Sequence, residues 1–185
     1  MTLTMPIRHM RLESVSDLRE LPSAERDRLL RTVMSRFATG VVVVTAVAED
    51  GAPVGFTCQS FVSLSLEPPL ALLCAGRTST TWPRVRAIGR LCVNMLAADQ
   101  AELGERFART GIDRFAGVAW EHSGNGAARL TGVLAWVEAT VESEVDSGDH
   151  TIVVLRVTGL GLDTAQAHPL VYYQGGFGRL AVGQP

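Results

Sequence analysis

Val41-Val42-Val43-Val44-Thr45-Ala46-Val47, then Glu49-Asp50-Gly51, then Val54 to Phe61, is the stretch whose reading decides the fold. Seven residues without a charge, nearly all β-branched, predict a strand buried on both faces. Glu49-Asp50-Gly51 is a hairpin signal, since Asp-Gly can supply the positive φ angles of a tight turn. Val54 to Phe61 then pairs back as a second strand.

Working outward, Pro68-Pro69 breaks the chain before a third strand, Leu70 to Cys74. Arg90 to Leu96, Leu134 to Val145, Thr151 to Leu162 and Leu170 to Tyr173 extend the strand set. The turn Asp146-Ser147-Gly148-Asp149 joins two of them. Helices are fewer. Ser23 after Pro22 reads as an N-cap for Leu29, Leu30, Val33, Met34 and Phe37, with Gly40 as the stop. Ser79 to Ile88 suits a short helix. Asp99 with Glu102 resembles a capping box for a helix reaching Phe107. Residues 109 to 128 are Gly-rich and predict an irregular surface loop. Six or seven strands with two or three helices imply a mainly β, closed antiparallel barrel with peripheral helices. The missing β-α alternation disfavours a doubly wound sheet.

The chain has 185 residues, 46% hydrophobic and 19% charged, which suits one globular domain and excludes a disordered chain. Residues 1–22 read as an N-terminal arm and 23–185 as the domain. The net charge is −2, with Lys and Arg scattered, so no nucleic-acid or membrane-surface partner is expected. No apolar run approaches a membrane span, and no signal peptide is evident. Three widely spaced cysteines, Cys58, Cys74 and Cys92, argue against a disulfide framework and for a cytoplasmic location.

Several chemistries are absent. There is no Cys-x-x-Cys, no nucleophile elbow and no Walker loop. His9, His122, His150 and His168 have no metal-ligand spacing, so no metal site is expected. Gly175-Gly176-Phe177-Gly178 follows the last strand and opens no helix, failing the context test for a dinucleotide fingerprint. What remains is a density of hydroxyls beside strands. Thr57, Ser60, Ser63 and Ser65 lie within Gly55 to Pro69, and Thr78-Ser79-Thr80-Thr81 follows Arg77. Such residues suit a phosphate, but Ser and Thr are more often turn and cap residues, and composition alone favours that reading. Cys58 reads as a packing residue and the three tryptophans as core or rim. His150 taken alone reads as a structural turn-end histidine.

A resemblance changes the weighing. Arg36-Phe37-Ala38-Thr39-Gly40 through Thr45, Gly55-Phe56-Thr57 through Phe61, and Ser63-Leu64-Ser65-Leu66-Glu67-Pro68-Pro69-Leu70 resemble the flavin reductase-like family. Arg90 to Asn94, Gly148-Asp149-His150 and Leu170 to Phe177 extend the match over residues 28 to 180. The resemblance implies an antiparallel Greek-key split β-barrel. It also implies NAD(P)H-dependent flavin reductase activity, the small component that supplies reduced FAD (or FMN) to a partner flavin-dependent monooxygenase. NADH (or NADPH) would be the donor, and the assembly a homodimer. By the same resemblance Thr57, Cys58, Gln59 and Ser60 run along the isoalloxazine edge, and Ser63, Ser65 and Leu66 line the ribityl and ring region. Cys74 and Ala75 open the stretch that wraps the phosphate, with Ser79 and Thr80 as donors and Phe107 near the flavin tail. His150 is the catalytic candidate, at the nicotinamide side with Gln174, Gly175, Gly176 and Phe177. Rival readings are a split-barrel flavin- or haem-binding protein without nicotinamide turnover, and a pyridoxamine phosphate oxidase.

Overall fold

The computed structural model describes residues 15–163 and 168–180. His9 and most of the expected N-terminal arm lie outside those residues. The described chain divides into two compact units, residues 15–38 with Tyr173–Gly176, and residues 39–172 with those from Phe177 onward.

The first unit holds α1 (Val15–Glu20) and α2 (Ser23–Met34). Two expectations about α2 are corrected. Its N-cap is Pro22, without a side-chain cap, and Ser23 is already helical. It stops at Met34, well before Gly40, leaving Phe37 outside the helix. The physical reason is local. Ser35 Oγ donates to Thr32 O at 2.9 Å, while Ser35 N and Arg36 N bond Arg31 O and Val33 O, so the last-turn carbonyls are satisfied without a further turn. Ser35 O accepts the backbone N–H of Gln174 instead of continuing the helix.

The second unit is built on β2 (Val42–Val47), which is buried at every position, as its sequence predicts. Alternate residues feed two cores. Val42, Val44 and Ala46 face Leu73, Leu91, Val153 and Leu155. Val41, just before the strand, and Val43 face Leu96, Phe107, Leu130 and Leu170. The Asp50-Gly51 turn leads into β3 (Pro53–Cys58), with φ of 82° at Gly51. After it come β4 (Val62–Ser65), β5 (Leu70–Gly76), α3 (Trp82–Ile88), β6 (Arg90–Met95) and α4 (Ala101–Ala108). The long hairpin β9 (Ala135–Ser147) and β10 (His150–Leu162) turns at Gly148-Asp149. These seven strands pair antiparallel in the order β3-β2-β6-β9-β10-β5-β4. Smaller sheets are β1 (Thr39–Gly40) with β11 (Leu170–Tyr173) and β12 (Gly176–Arg179), and β7 (Trp120–His122) with β8 (Ala128–Leu130).

The mainly antiparallel β class is therefore as read, with four described helices rather than two or three. Among the described residues no backbone ladder joins the edge strands β3 and β4. In the turn between them, Ser60 Oγ accepts from Cys74 N of β5 at 2.8 Å and donates to Cys74 O at 3.2 Å. The loop expected over 109–128 contains β7 and reaches β8, so His122 lies in a strand, its Nδ1 3.2 Å from Gly126 O. The capping box also fails. Asp99 does not cap α4, whose N-cap is Gln100, and the Gln100 side chain accepts from Ala97 N at 3.0 Å.

Among the described polar and charged residues, Thr45, Thr81 and Asn94 are buried. Asn94 Nδ2 donates to Val43 O at 3.1 Å and Thr45 Oγ1 at 3.0 Å, while its Oδ1 accepts from Leu130 N at 2.8 Å. Thr45 Oγ1 donates to Ala128 O at 2.5 Å. One carboxamide thus ties β2, β6 and β8. Asn94→Ala removes the side-chain acceptor of the buried Leu130 N–H and the side-chain donor to Val43 O, and should cost about 2–4 kcal/mol in urea denaturation. A loss below about 0.5 kcal/mol would show that the network is replaceable.

Candidate functional site

β3 and β5 end side by side, and the segment between β5 and α3 crosses above them. Between these elements, α4 and the loop after it lies a cleft of about 540 Å³. Its wall carries Thr57, Cys58, Gln59 and Ser60 from the end of β3, and Thr78, Ser79, Thr80 and Thr81 from the β5–α3 segment. Cys74, Phe107, Arg114 and His150 complete the chemically distinctive lining, which holds no Asp or Glu. A roomier depression of about 760 Å³ along α4 is lined by Asp99, Glu102, Glu105 and Asp113 besides Arg106 and Arg109. An acid-rich wall repels an anionic ligand, so the smaller cleft is the candidate site.

Each polar group has a definite state. Thr57 Oγ1 donates to Gly104 O at 2.6 Å, pinning α4 to β3. Gly55 permits the same contact. A Cβ there would meet Val44 O at 2.8 Å and Phe107 Cε1 at 3.0 Å, so only glycine lets the ring lie on the strand. Phe107 is fully buried and stacks edge-on against Phe115, 4.9 Å between centroids. Cys58 Sγ lies 3.2 Å from Ser60 Oγ, and burial pushes its thiol pKa up, which keeps it protonated and unreactive at neutral pH. Ser79 Oγ accepts from Trp82 N at 3.0 Å and Thr81 N at 3.3 Å. It is spent as a cap, leaving only its O–H to donate outward. Thr80 is exposed.

His150 opens β10 opposite Gly76. Its Nδ1 lies 2.7 Å from Asp149 Oδ1. A carboxylate only accepts, so Nδ1 carries a proton and donates it to Asp149. The ring is about half exposed and lines the cleft.

Arg114 is the residue that sequence reasoning passed over. Its Nη1 donates to Gly55 O and Thr81 Oγ1, both at 2.7 Å, and its Nε to Arg109 O at 2.6 Å. No carboxylate pairs with it among the described residues, and partial burial lowers its pKa. The cleft therefore has an uncompensated guanidinium. The only signal was an Arg beside an aromatic in Gly111-Ile112-Asp113-Arg114-Phe115, which has no periodicity to read.

Not every candidate converges. Thr57, Cys58, Gln59, Ser60, Cys74, Ser79, Thr80, Phe107 and His150 line one cleft. Ala75 points into the core, buried with Ala71 and Leu73. Ser63, Ser65 and Leu66 belong to the edge strand β4 and its end, outside that lining, with Leu66 88% exposed. Phe177 packs in the second core, 5.3 Å from the Tyr172 ring. Gln174, Gly175 and Gly176 group with the N-terminal unit.

Residues 34–181 match the model of the flavin reductase like domain. The chain belongs to that family. It is 44% identical, over 148 residues, to the reductase subunit HsaB of a flavin-dependent monooxygenase from Rhodococcus jostii, covering 80% of this chain and 75% of that one. The structure of a nitrilotriacetate monooxygenase component B homologue from Mycobacterium thermoresistibile superposes with a TM-score of 0.85 at 39% identity, over 89% of this chain and 93% of that one. The NADH:FAD oxidoreductase SgcE6 of Streptomyces globisporus, solved with NAD and FAD fragments, gives a TM-score of 0.79 at 33% identity, covering 88% and 97%. This member of the family is an oxidoreductase that reduces flavin with a nicotinamide donor, of the kind that serves a two-component monooxygenase.

The Ser79 geometry separates cap from ligand donor. Ser79→Ala should cost about 1 kcal/mol in thermal or chemical denaturation, because two N–H groups lose their acceptor. Thr80→Ala should unfold with the wild type. Equal stability of the two variants would contradict the cap.

Proposed function

We propose that the cleft at the ends of β3 and β5 is where this flavin reductase brings FAD (or FMN) and NADH (or NADPH) together. The observation that carries this reading is the lining itself: a hydroxyl-rich, carboxylate-free wall with a lone guanidinium at one end and His150 at another. That wall suits a planar polar ring joined to a phosphate. Gln59 and the backbone at Thr57–Ser60 would hold the ring edge, and Thr78, Ser79, Thr80 and Arg114 the phosphate. Bound flavin supplies the two-electron chemistry.

The chain's contribution is positioning. Phe107 closes the floor and excludes water. His150, its ring oriented by Asp149, can hydrogen-bond a nicotinamide carboxamide through Nε2 and hold it against the flavin. No carboxylate lines the cleft to act as a general base, and none is needed for this reaction. Reduced flavin would pass to the monooxygenase component. We take residues 23–185 as the working domain after an arm of 1–22, and the cytoplasm as its place; no described helix is long and apolar enough to cross a membrane.

Mixing the protein with NADH or NADPH and FAD or FMN, and following nicotinamide absorbance, tests the activity directly. Absence of turnover with every pair would overturn it. His150→Ala should keep fold and flavin affinity while lowering kcat/KM for the nicotinamide by roughly ten- to a hundredfold. Anaerobic stopped-flow reduction at the wild-type rate and KM would return His150 to a structural role.

The chain would work as a homodimer. β4 is an edge strand whose side chains Val62, Leu64 and the adjoining Leu66 are 53%, 48% and 88% exposed, an open ladder with apolar cover that a second copy would bury. Light scattering at micromolar concentration should give twice the chain mass, and Leu66→Lys should shift it toward monomer. A wild-type monomer with full activity would contradict the assembly.

A further inference from the structure

The long hairpin inverts its own pattern just before its tip. Along β9, Val137, Ala139 and Val141 face the first core, so strict alternation would send Val145 inward and Glu144 outward. The register slips instead. Leu155 pairs with Val141 and Val154 with Ser143, which makes Glu142 the extra residue of a β-bulge. Beyond it Glu144 stands opposite the core residue Val153, while Val145 is left 58% exposed. A carboxylate turned in and a valine turned out run against burial, so the inward carboxylate needs partners. It has two. Glu144 Oε1 accepts from Trp82 Nε1 at 3.0 Å, and Oε2 pairs with Arg86 Nε at 2.6 Å.

Trp82 and Arg86 are four residues apart, so one carboxylate grips one face of the short helix α3. Apolar burial of Trp82 and Val85 holds α3 against the core but is non-directional, whereas the indole bond has a direction and fixes the helix's rotation. That rotation matters to the cleft, because the hydroxyl segment runs straight into α3. Ser79 Oγ accepts from Trp82 N, and Thr81, the last residue before the helix, receives the Arg114 guanidinium. Phe56, against which the Trp82 ring packs edge-on at 6.3 Å, lines the same cleft. The other end of the segment is tied to the same hairpin, with Arg77 N donating to Asp149 O at 2.9 Å. We propose that Glu144 is a positioning residue for the cleft. By fixing the Trp82 indole, it sets the angle at which Thr78, Ser79 and Thr80 meet a ligand phosphate. The proposal rests on the flavin reading above. Glu144 is absent from the cleft lining and acts only through Trp82. Without the carboxylate, the indole N–H of a buried ring loses its acceptor, and α3 must turn to hydrate it. That turn displaces Ser79 and Thr81, while Gln59 and the β3 backbone stay in place. The expected signature is a loss confined to the phosphate.

Calorimetric titration of riboflavin and FMN, which differ only in the phosphate, tests this on the wild-type chain, E144A, E144Q, R86Q and W82F. Thermal melting of each variant is the control for folding. E144A should weaken FMN about five- to twentyfold while riboflavin stays within about twofold, and should raise the KM for FMN without lowering kcat. E144Q still offers an oxygen to the indole and should restore FMN to within about threefold of wild type. R86Q should bind both flavins like wild type, because the Arg86 side chain is 64% exposed and an exposed ion pair contributes little. If E144A does not fold, W82F decides: it keeps a ring against Phe56, removes the donor, and should weaken FMN more than riboflavin. Equal losses of both flavins in E144A, no loss of either, or an R86Q chain that reproduces the E144A loss would overturn the positioning role and leave the flavin reading standing. A wild-type chain that binds neither flavin would overturn both.

Discussion

The Asn94 carboxamide sits fully buried in β6 and makes the one polar junction on which the second unit depends. It reaches backward to β2 through Val43 O and forward to β8 through Leu130 N. β8 is short, three residues paired only with β7, and could not hold its place by its own ladder. The amide and the Thr45 hydroxyl, which reaches Ala128 O, fasten it to the central strand. The segment from α4 to β7 lies between those fixed ends, including the loop that carries Arg114. A buried polar group is costly unless every bond is made, and here that cost enforces register. A slip of one residue in β6 would turn Asn94 into the opposite core and leave its partners on β2 and β8 unsatisfied.

The sheet was legible where burial is two-sided and the turn chemistry is strict. Val41–Val47 has no polar face to misread, and Asp50-Gly51 and Gly148-Asp149 lie at the hairpin ends their residues imply. Legibility failed at helix ends. Ser23, Gly40 and Asp99 are residues that cap well in general, yet at each end a neighbour took the role. Pro22 precedes the first turn of α2, Ser35 and Thr32 close the last, and the Gln100 side chain bonds Ala97 N before α4. Propensity ranks candidates for a cap, whereas geometry chooses among them. β7 and β8 were missed because three-residue strands inside a Gly-rich segment carry no period long enough to detect.

The site shows the same division. Its β3 end and the hydroxyl run before α3 were visible as composition, and the resemblance supplied a reason to bring them together. Ser63, Ser65 and Leu66 were assigned to the ribityl and ring region by the same resemblance, and they lie on the edge strand β4 and its end. Arg114 lies 56 residues from Cys58 in sequence, in a loop without pattern, and only folding brings it to the wall. Cations that meet ligands in folded proteins are often placed this way, because a loop held at both ends by the core can project a side chain into a cleft that strands alone delimit.

The turn between β3 and β4 ties stability to function. Ser60 fastens it to β5 with one hydroxyl, bonding both the N–H and the C=O of Cys74. That leaves the neighbouring backbone of Gln59 and the exposed Gln59 side chain facing the cleft rather than a partner strand. A turn fastened by a hydroxyl holds this part of the cleft wall at a fixed place. Charge follows the same division of labour. Carboxylates line the depression along α4 and are absent from the lining of the cleft, where Arg114 stands among neutral hydroxyls. An anion entering such a wall meets donors already oriented by the fold. The positive potential is not spent on an internal ion pair, so it remains for the ligand.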